Sequence, residues 1–414
     1  FKMLKIPPKI NWFSSEQSWL LNREKTFFKS IEEVDKFHQI ALCKKNLRIN
    51  PSSNLPIKKE IDCKSIFRSG TTSISSNREY HYSMPEFDIM NQHHIWKIEK
   101  LHNLEKEGNV IWIAASSYDL KKDSIYGPSN YIATGKQNNT YNLMYNQNYE
   151  KKDWEHNLNL ALSYKPKFVR TSPSTIEAIY YHLGKNFKFD CPVILSEETL
   201  HSNVRRMSDE IFTKTIDKMV GWDGCLGWYE CEHKTKHIYD EFCYVEQLED
   251  DVLAVTDLHN RTMEFTRYLI GDRGKLNKKK CECGISGNYF EEFQGKTIEC
   301  LFSNNTIIPG RYISEKISIL FRLGYEFQGE EKISFDDYII YRIRQLKNTD
   351  IEFVYSARNE FKEDQKLKIK NMLEKLTNCK IFFTKEDFPC FQRKKKNLFI
   401  ESECARDFWN NKRI

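Results

Sequence analysis

Nothing in this chain approaches the ~20 consecutive apolar residues of a membrane-spanning helix, so no span is expected. The opening FKMLKIPPKINWF has no apolar core followed by a small-residue cleavage site, and a cytoplasmic protein is expected. Internal repeats and low-complexity tracts are missing too, which excludes a repeat array. Surplus charge is small: 64 basic residues face 58 acidic ones, a net of +6 spread along the chain. That balance argues against a dedicated nucleic-acid binder. The densest basic run, Arg393 to Lys396 in FQRKKKNLFI, is short enough to be an ordinary solvated surface.

What is present is core-forming material. Hydrophobic residues make up 40% of the chain and aromatics 14%, enough for a globular rather than a disordered protein. At 414 residues the chain exceeds the size at which single cores stop growing, so one large domain and a smaller one are expected. The 12 cysteines, in an intracellular chain, are read as thiols or metal ligands before disulfides.

Apolar runs alternate with helical ones after residue 60. NVIWIAASS reads as a buried strand, STIEAIYYHL as a helix and PVILS as a second strand, an alternation that predicts α/β layers. From residue 241 the segments CYVEQL, DVLAVTDL and MEFTRYLI predict β-structure, arranged as a smaller sheet or barrel-like subdomain. In the last hundred residues, SFDDYIIYRIRQL carries Ile339, Ile340, Ile343 and Leu346 at helical spacing behind a cap at Ser334. IEFVYS and KIFFT are expected strands around a helix, KEDQKLKIKNMLEKL, with Ile369, Met372, Leu373 and Leu376 on one face.

Two stretches carry chemistry. FRSGTTSISSN concentrates hydroxyls and one glycine: it is either an ordinary turn or a loop offering N–H groups and hydroxyls to a polyanion. RYLIGDRG is expected to follow a strand and end in a tight turn, where Asp272 is either a common turn residue or an acceptor for both hydroxyls of a ribose.

The order FRSGTTS, FVRTSPSTIEAIYYHL, VILSEETL, HIYDEF, VLAVTDL, RYLIGDRG and CECG resembles the adenylate-forming enzymes, specifically the phenylacetate-CoA ligase and CapK-like branch. The resemblance covers residues 55 to 300 well and the C-terminal part weakly. It implies a large multi-layer α/β body with a β-rich subdomain over residues 1–302, and a small mobile α+β lobe over 303–414. It further implies ATP-dependent activation of a carboxylic acid as an acyl-adenylate, with Mg²⁺, and transfer to a thiol of CoA or of an acyl carrier protein.

By the same resemblance Ser69, Gly70, Thr71 and Thr72 handle the ATP phosphates, and Asp272 holds the AMP ribose, with Arg267 in the preceding motif. Ser73 and Ile74 stand where the family usually has Gly and a nearby Pro, which stiffens the loop. In VGWDGCLGWYEC, Trp222 is the expected adenine-stacking plane and Asp223 the carboxylate near Mg²⁺. Lys396, before the apolar Leu398–Phe399–Ile400, is the expected catalytic lysine, with Lys395 as the alternative register.

Cys231, His237, Cys281 and Cys283 form an expected structural zinc site, since three thiolates and an imidazole close a tetrahedron; His233 is the rival histidine. Tyr126 and Tyr131 in YGPSNYIATG are either acid-pocket aromatics, favouring an aryl acid, or packing. Three other activities share the resemblance. An acyl-protein synthetase would use a thiol such as Cys390 or Cys404, an amide-forming ligase would use an amine, and a non-catalytic relative would bind nucleotide only.

Overall fold

The structure, a computed structural model, describes residues 32, 65–69, 78–82, 84–104, 106–115, 125–132, 137–145, 150–221, 226–258, 260, 263, 265–303, 306–326, 339–346, 350–357, 363–386 and 399–412. Twelve strands of these residues form one sheet, in the order 243–247, 252–257, 268–280, 286–296, 236–238, 227–230, 215–220, 193–195, 166–171, 109–115, 137–145 and 125–132. The strands 137–145, 109–115, 166–171, 193–195 and 215–220 run parallel to one another. The strand 193–195 is buried throughout and reads as a continuous apolar run, VIL.

Side chains of alternate residues enter different cores. Ile111, Ile113, Val169, Val193 and Leu195 pack with Trp154, Ile179 and Met207 from the helices Lys151–Ser163, Pro173–Leu183 and Ser202–Ile211. Val110, Phe168, Ile194 and Ile216 pack with Trp96 and Ile98 of the helix Met84–Leu101. The helix Pro173–Leu183 starts where expected: Ser172 accepts from the Thr175 N–H, and Pro173 takes the first position, where its missing N–H costs nothing.

Two expectations about the β-rich part are corrected. The segments after residue 241 do not form a separate sheet; they extend the same one. Only Tyr268 onward of MEFTRYLI enters a strand, the long Tyr268–Lys280, with Met263 an isolated bridge. RYLIGDRG therefore does not end in a tight turn. Its glycine, Gly271 (φ 84°), marks a register shift between the pairs Val252–Arg273 and Ala254–Leu269. A bulge and a turn need the same positive φ, so Gly-Asp signals both.

The C-terminal elements form a four-stranded sheet in the order 381–385, 351–357, 339–345 and 400–402, with the helix Glu363–Thr377 packed on it through Ile369 and Leu373. Leu301, Ile308, Ile313 and Ile317 complete this core. The expected helix over SFDDYIIYRIRQL is a strand, Ile339–Gln345; Ser334 lies outside the described residues. Tyr341, Ile343 and Gln345 are buried while Arg342 and Arg344 are less so, a period of two that outweighs the helical spacing of the isoleucines.

Among the described residues, the contacts of these C-terminal elements with the rest of the chain include two that bear on the site. Arg342 reaches Glu177 of the helix Pro173–Leu183 in a two-pronged pair, 3.2 and 2.8 Å. Phe399 lies against His201, ring centroids 4.1 Å apart, and its N–H donates to Glu299 Oε1 at 3.0 Å.

Candidate functional site

Asp272 follows Gly271 on the strand Tyr268–Lys280 and acts on Glu299, whose carboxylate accepts from the Phe399 N–H. Asp272 pairs in register with Lys296 on the strand Ser286–Lys296, is 4% exposed, and lies 3.5 Å from the Lys296 ammonium. Three residues past Lys296, Glu299 is also buried, and burial raises its pKa although the Phe399 N–H and Lys296 oppose the shift. Thr199 Oγ1 donates to Glu299 at 3.5 Å and also lies against Gly295, whose φ is 85°. Asp272, Lys296, Glu299, Thr199 and Phe399 thus join four segments at one point. Two carboxylates there, one of them deeply buried and beside a single lysine, suit a ligand rich in hydroxyls.

Arg267, the other residue expected at this motif, pairs with Glu246, Nε to Oε2 at 3.0 Å, and its N–H donates to Thr256. Ser69 ends the strand Ser65–Ser69. Gly70, Thr71, Thr72, Ser73, Trp222, Asp223, Lys395, Lys396 and Cys390 lie outside the described residues. Tyr126 and Tyr131 sit in the strand Ile125–Ile132 at the edge of the large sheet, paired with Asn142 and Asn138. Cys404 is half-buried in the helix Glu403–Lys412, and burial raises its pKa, which suppresses the thiolate a nucleophile needs.

His201, on the contact with Phe399, is buried, and burial followed by Arg342 and Arg311 lowers its pKa to about 3. The unfolded chain, with an ordinary histidine near 6.5, then binds the extra proton between those values. Stability is complete above pH ~6.5 and is lost as pH falls toward about 3, by up to a few kcal/mol. In His201→Leu the unfolding temperature is expected to decline less steeply over that window than in the parent; parallel curves would refute the assignment.

Cys231, His237, Cys281 and Cys283 come together at one end of the sheet, their ligand atoms all within 4.8 Å of one another. Two neighbouring hairpins build the cluster. Cys231 follows the strand Gly227–Glu230, and the Lys234 N–H closes the turn onto its carbonyl. Cys281 follows the strand Tyr268–Lys280, with the Gly284 N–H (φ 88°) closing the second turn. Cys231 and Cys281 Sγ atoms are 3.9 Å apart, and Cys283 Sγ is 3.3 Å from His237 Nε2. Tetrahedral zinc with Zn–S near 2.3 Å places sulfurs ~3.8 Å apart, so the donor set and its spacing fit the ion. The hydrogen bond from Cys283, and then the His237 imidazole, pull the Cys231 thiol toward the thiolate that metal binding needs. His233 stays outside, facing Glu282 at 3.3 Å and Glu232 at 3.7 Å.

Two cations went unnoticed in the sequence. Arg170 in PKFVRT and Lys218 in TIDKMV interrupt strands that are otherwise largely buried. A charge at an inward position of such a run is the signal that would have found them.

No family model matches the chain, and no curated protein matches it. Solved structures do. 2-Hydroxyisobutyryl-CoA ligase in the postadenylation state, in complex with 2-HIB-AMP, is 10% identical, with 96% of this chain and 91% of that one covered and a TM-score of 0.58. The same figures hold for its complex with R3-HIB-AMP. An open conformation of that ligase, with 2-HIB-AMP and CoA, is 10% identical and covers 90% of this chain and 89% of that one at a TM-score of 0.50. The chain therefore has the mixed α/β fold of an adenylate-forming CoA ligase.

Proposed function

We propose that this protein is an ATP-dependent carboxylate ligase of the AMP-forming kind, related to the phenylacetate-CoA ligase and CapK-like branch. The observation that carries the proposal is Asp272 of RYLIGDRG, buried beside Lys296 where the body meets the C-terminal lobe. The fold, shared with a ligase whose complex holds 2-HIB-AMP and CoA, supports it.

In the first half-reaction an oxygen of the carboxylate attacks the α-phosphorus of ATP. The bond to the β-phosphate oxygen breaks, pyrophosphate leaves with its electron pair, and an acyl-AMP anhydride remains. In the second, a thiolate attacks the acyl carbon, AMP departs, and a thioester is formed. Asp272 accepts hydrogen bonds from the ribose hydroxyls. Ser69, Gly70, Thr71 and Thr72 are assigned to the β- and γ-phosphates, Trp222 to the adenine face, and Asp223 to the side where Mg²⁺ accompanies ATP. Lys396 is assigned to the charge developing on the α-phosphate. It precedes by three residues Phe399, whose N–H is bound at the junction.

Residues 1–302 are the adenylating body and 303–414 the lobe that reorients between half-reactions, which gives the acceptor room after pyrophosphate leaves. CoA is the favoured acceptor thiol. The four-ligand cluster is assigned to structural zinc.

Acid-dependent exchange of labelled pyrophosphate into ATP tests the first half-reaction, over aryl, fatty, hydroxy and dicarboxylic acids. One acid class is expected to support exchange, with AMP released only on adding CoA. Tight ATP binding with no exchange for any class would instead identify a nucleotide-binding protein without ligase activity.

A further inference from the structure

In an open sheet of parallel strands the ligand crevice lies beyond the carboxyl ends of the strands. On the face covered by the helix Met84–Leu101, one row across the sheet is Trp112, Arg170, Ile194 and Ile216, neighbours in register. The preceding row on the same face, Val110 and Phe168, is fully buried. The next residue on that face of the last strand is Lys218. The face is therefore dry at its centre and becomes cationic toward the strand ends.

Three features separate this pair of cations from ordinary packing. Trp112 is 38% exposed although its strand lies inside the sheet, and the Arg170 guanidinium sits 5.7 Å over its ring. Lys218 is 6% exposed, yet its ammonium makes no hydrogen bond or ion pair with any described residue. Lysines are almost never buried so deeply without a partner. Burial, then Arg170, lowers its pKa to about 7, against the favourable charge of Glu197. From the covering helix, His94 also feels the Lys218 charge.

The loop after the strand Val193–Leu195 separates this pair from the candidate ribose site. Glu197, with a positive φ of 81°, acts on Lys218 at one end of the loop. Thr199, at the other, touches Gly295 and Glu299 beside Asp272. Glu198 pins the loop by accepting from the Ser174 N–H at 2.9 Å and from its hydroxyl at 3.0 Å. An acid whose reacting end faces the nucleotide would extend its far end across this loop toward Arg170 and Lys218.

We infer that Arg170 and Lys218, with Trp112 as the wall, bind a second anionic group on the acyl substrate, so that the preferred acid is a dicarboxylic acid. The inference rests on the acid-activating reading above, and names the substrate class of that site. The carboxylate that is not activated supplies a partner for the Lys218 ammonium, which has none among the described residues.

The test uses dicarboxylic acids and monocarboxylic acids of equal chain length, aliphatic and aryl. Each is measured by calorimetric binding and by pyrophosphate exchange on the parent, Lys218→Met and Arg170→Met. The parent is expected to prefer the dicarboxylate at least tenfold in Kd and in kcat/KM, and each variant to bring that ratio close to one. Lys218→Met substitutes an apolar chain of similar length for a buried charge, a change that folded proteins accept; circular dichroism checks that it folds, and Arg170→Met provides the second route.

Preference in binding without exchange would keep the cationic subsite and remove acid activation. Exchange with monocarboxylates and no preference in the parent would remove the subsite and keep acid activation. Equal losses for both acid types in the variants would assign the pair to the reacting carboxylate and overturn the inference. So would failure of every dicarboxylate to bind.

Discussion

Asp272→Ala is expected to lower kcat/KM for ATP in acid-dependent pyrophosphate exchange by roughly two to four orders of magnitude. The estimate follows from two hydrogen bonds to a charged acceptor, each worth about 1.5–3 kcal/mol. Asp272→Asn keeps one acceptor oxygen and the shape, and is expected to fall between the alanine variant and the parent. Folding should tolerate either change: Lys296, which pairs with Asp272, is 21% exposed and can be hydrated once the carboxylate is gone. The specific readout is 2′-deoxy-ATP. The parent is expected to discriminate against it, because one of the two hydroxyls bound by the carboxylate is missing. Asp272→Ala is expected to use both nucleotides equally poorly. A variant that still discriminates, or one with parental kcat/KM, would remove Asp272 from the ribose site.

Much of the architecture was legible because the relevant signals are local. VIL is buried throughout and NVIWIAA buries Val110, Ile111 and Ile113, so both read as apolar runs, and Ser172-Pro173 announces the helix that follows. The strand Ile339–Gln345 was not legible. Its isoleucines satisfy a helical period, while the decisive alternation of Tyr341, Ile343 and Gln345 includes a glutamine that is buried because it bonds Phe302, 43 residues away. The site divides in the same way. Asp272 and the four metal-ligand candidates carry motif-like surroundings that can be read along the chain. Glu299 becomes part of the junction through Thr199 and Phe399, each 100 residues away along the chain. Arg170 and Lys218 come near one another because their strands flank the strand 193–195 in the sheet, and a single charge in a strand is locally no different from one at a surface edge.

The cluster of Cys231, His237, Cys281 and Cys283 leads to the second large effect. The purified protein is expected to contain one equivalent of zinc. Cys281→Ser is expected to lose it and to lower the unfolding temperature by roughly 5–10 °C, the shift for a loss of about 2–4 kcal/mol in a domain of this class. The role proposed for the site is structural, for two reasons. Four protein ligands leave no open coordination position for a substrate or water. Cys281 also stands nine residues beyond Asp272 along the same strand, a separation on the order of 30 Å at the usual rise. An ion there would fasten the turn after the strand 227–230 to the turn after the strand 268–280, so its loss is expected as fraying of the strands 227–230, 236–238 and 268–280. Hydrogen exchange should therefore rise first in those strands and not in the helices Pro173–Leu183 or Ser202–Ile211. Cobalt in place of zinc should give the strong visible bands of a tetrahedral thiolate site. His233→Ala is the control: the imidazole faces Glu232 and Glu282 outside the cluster, so metal content and unfolding temperature should match the parent. Loss of metal in His233→Ala would move the ligand assignment to that histidine, and a metal-free parent with the same unfolding temperature as Cys281→Ser would abolish the site.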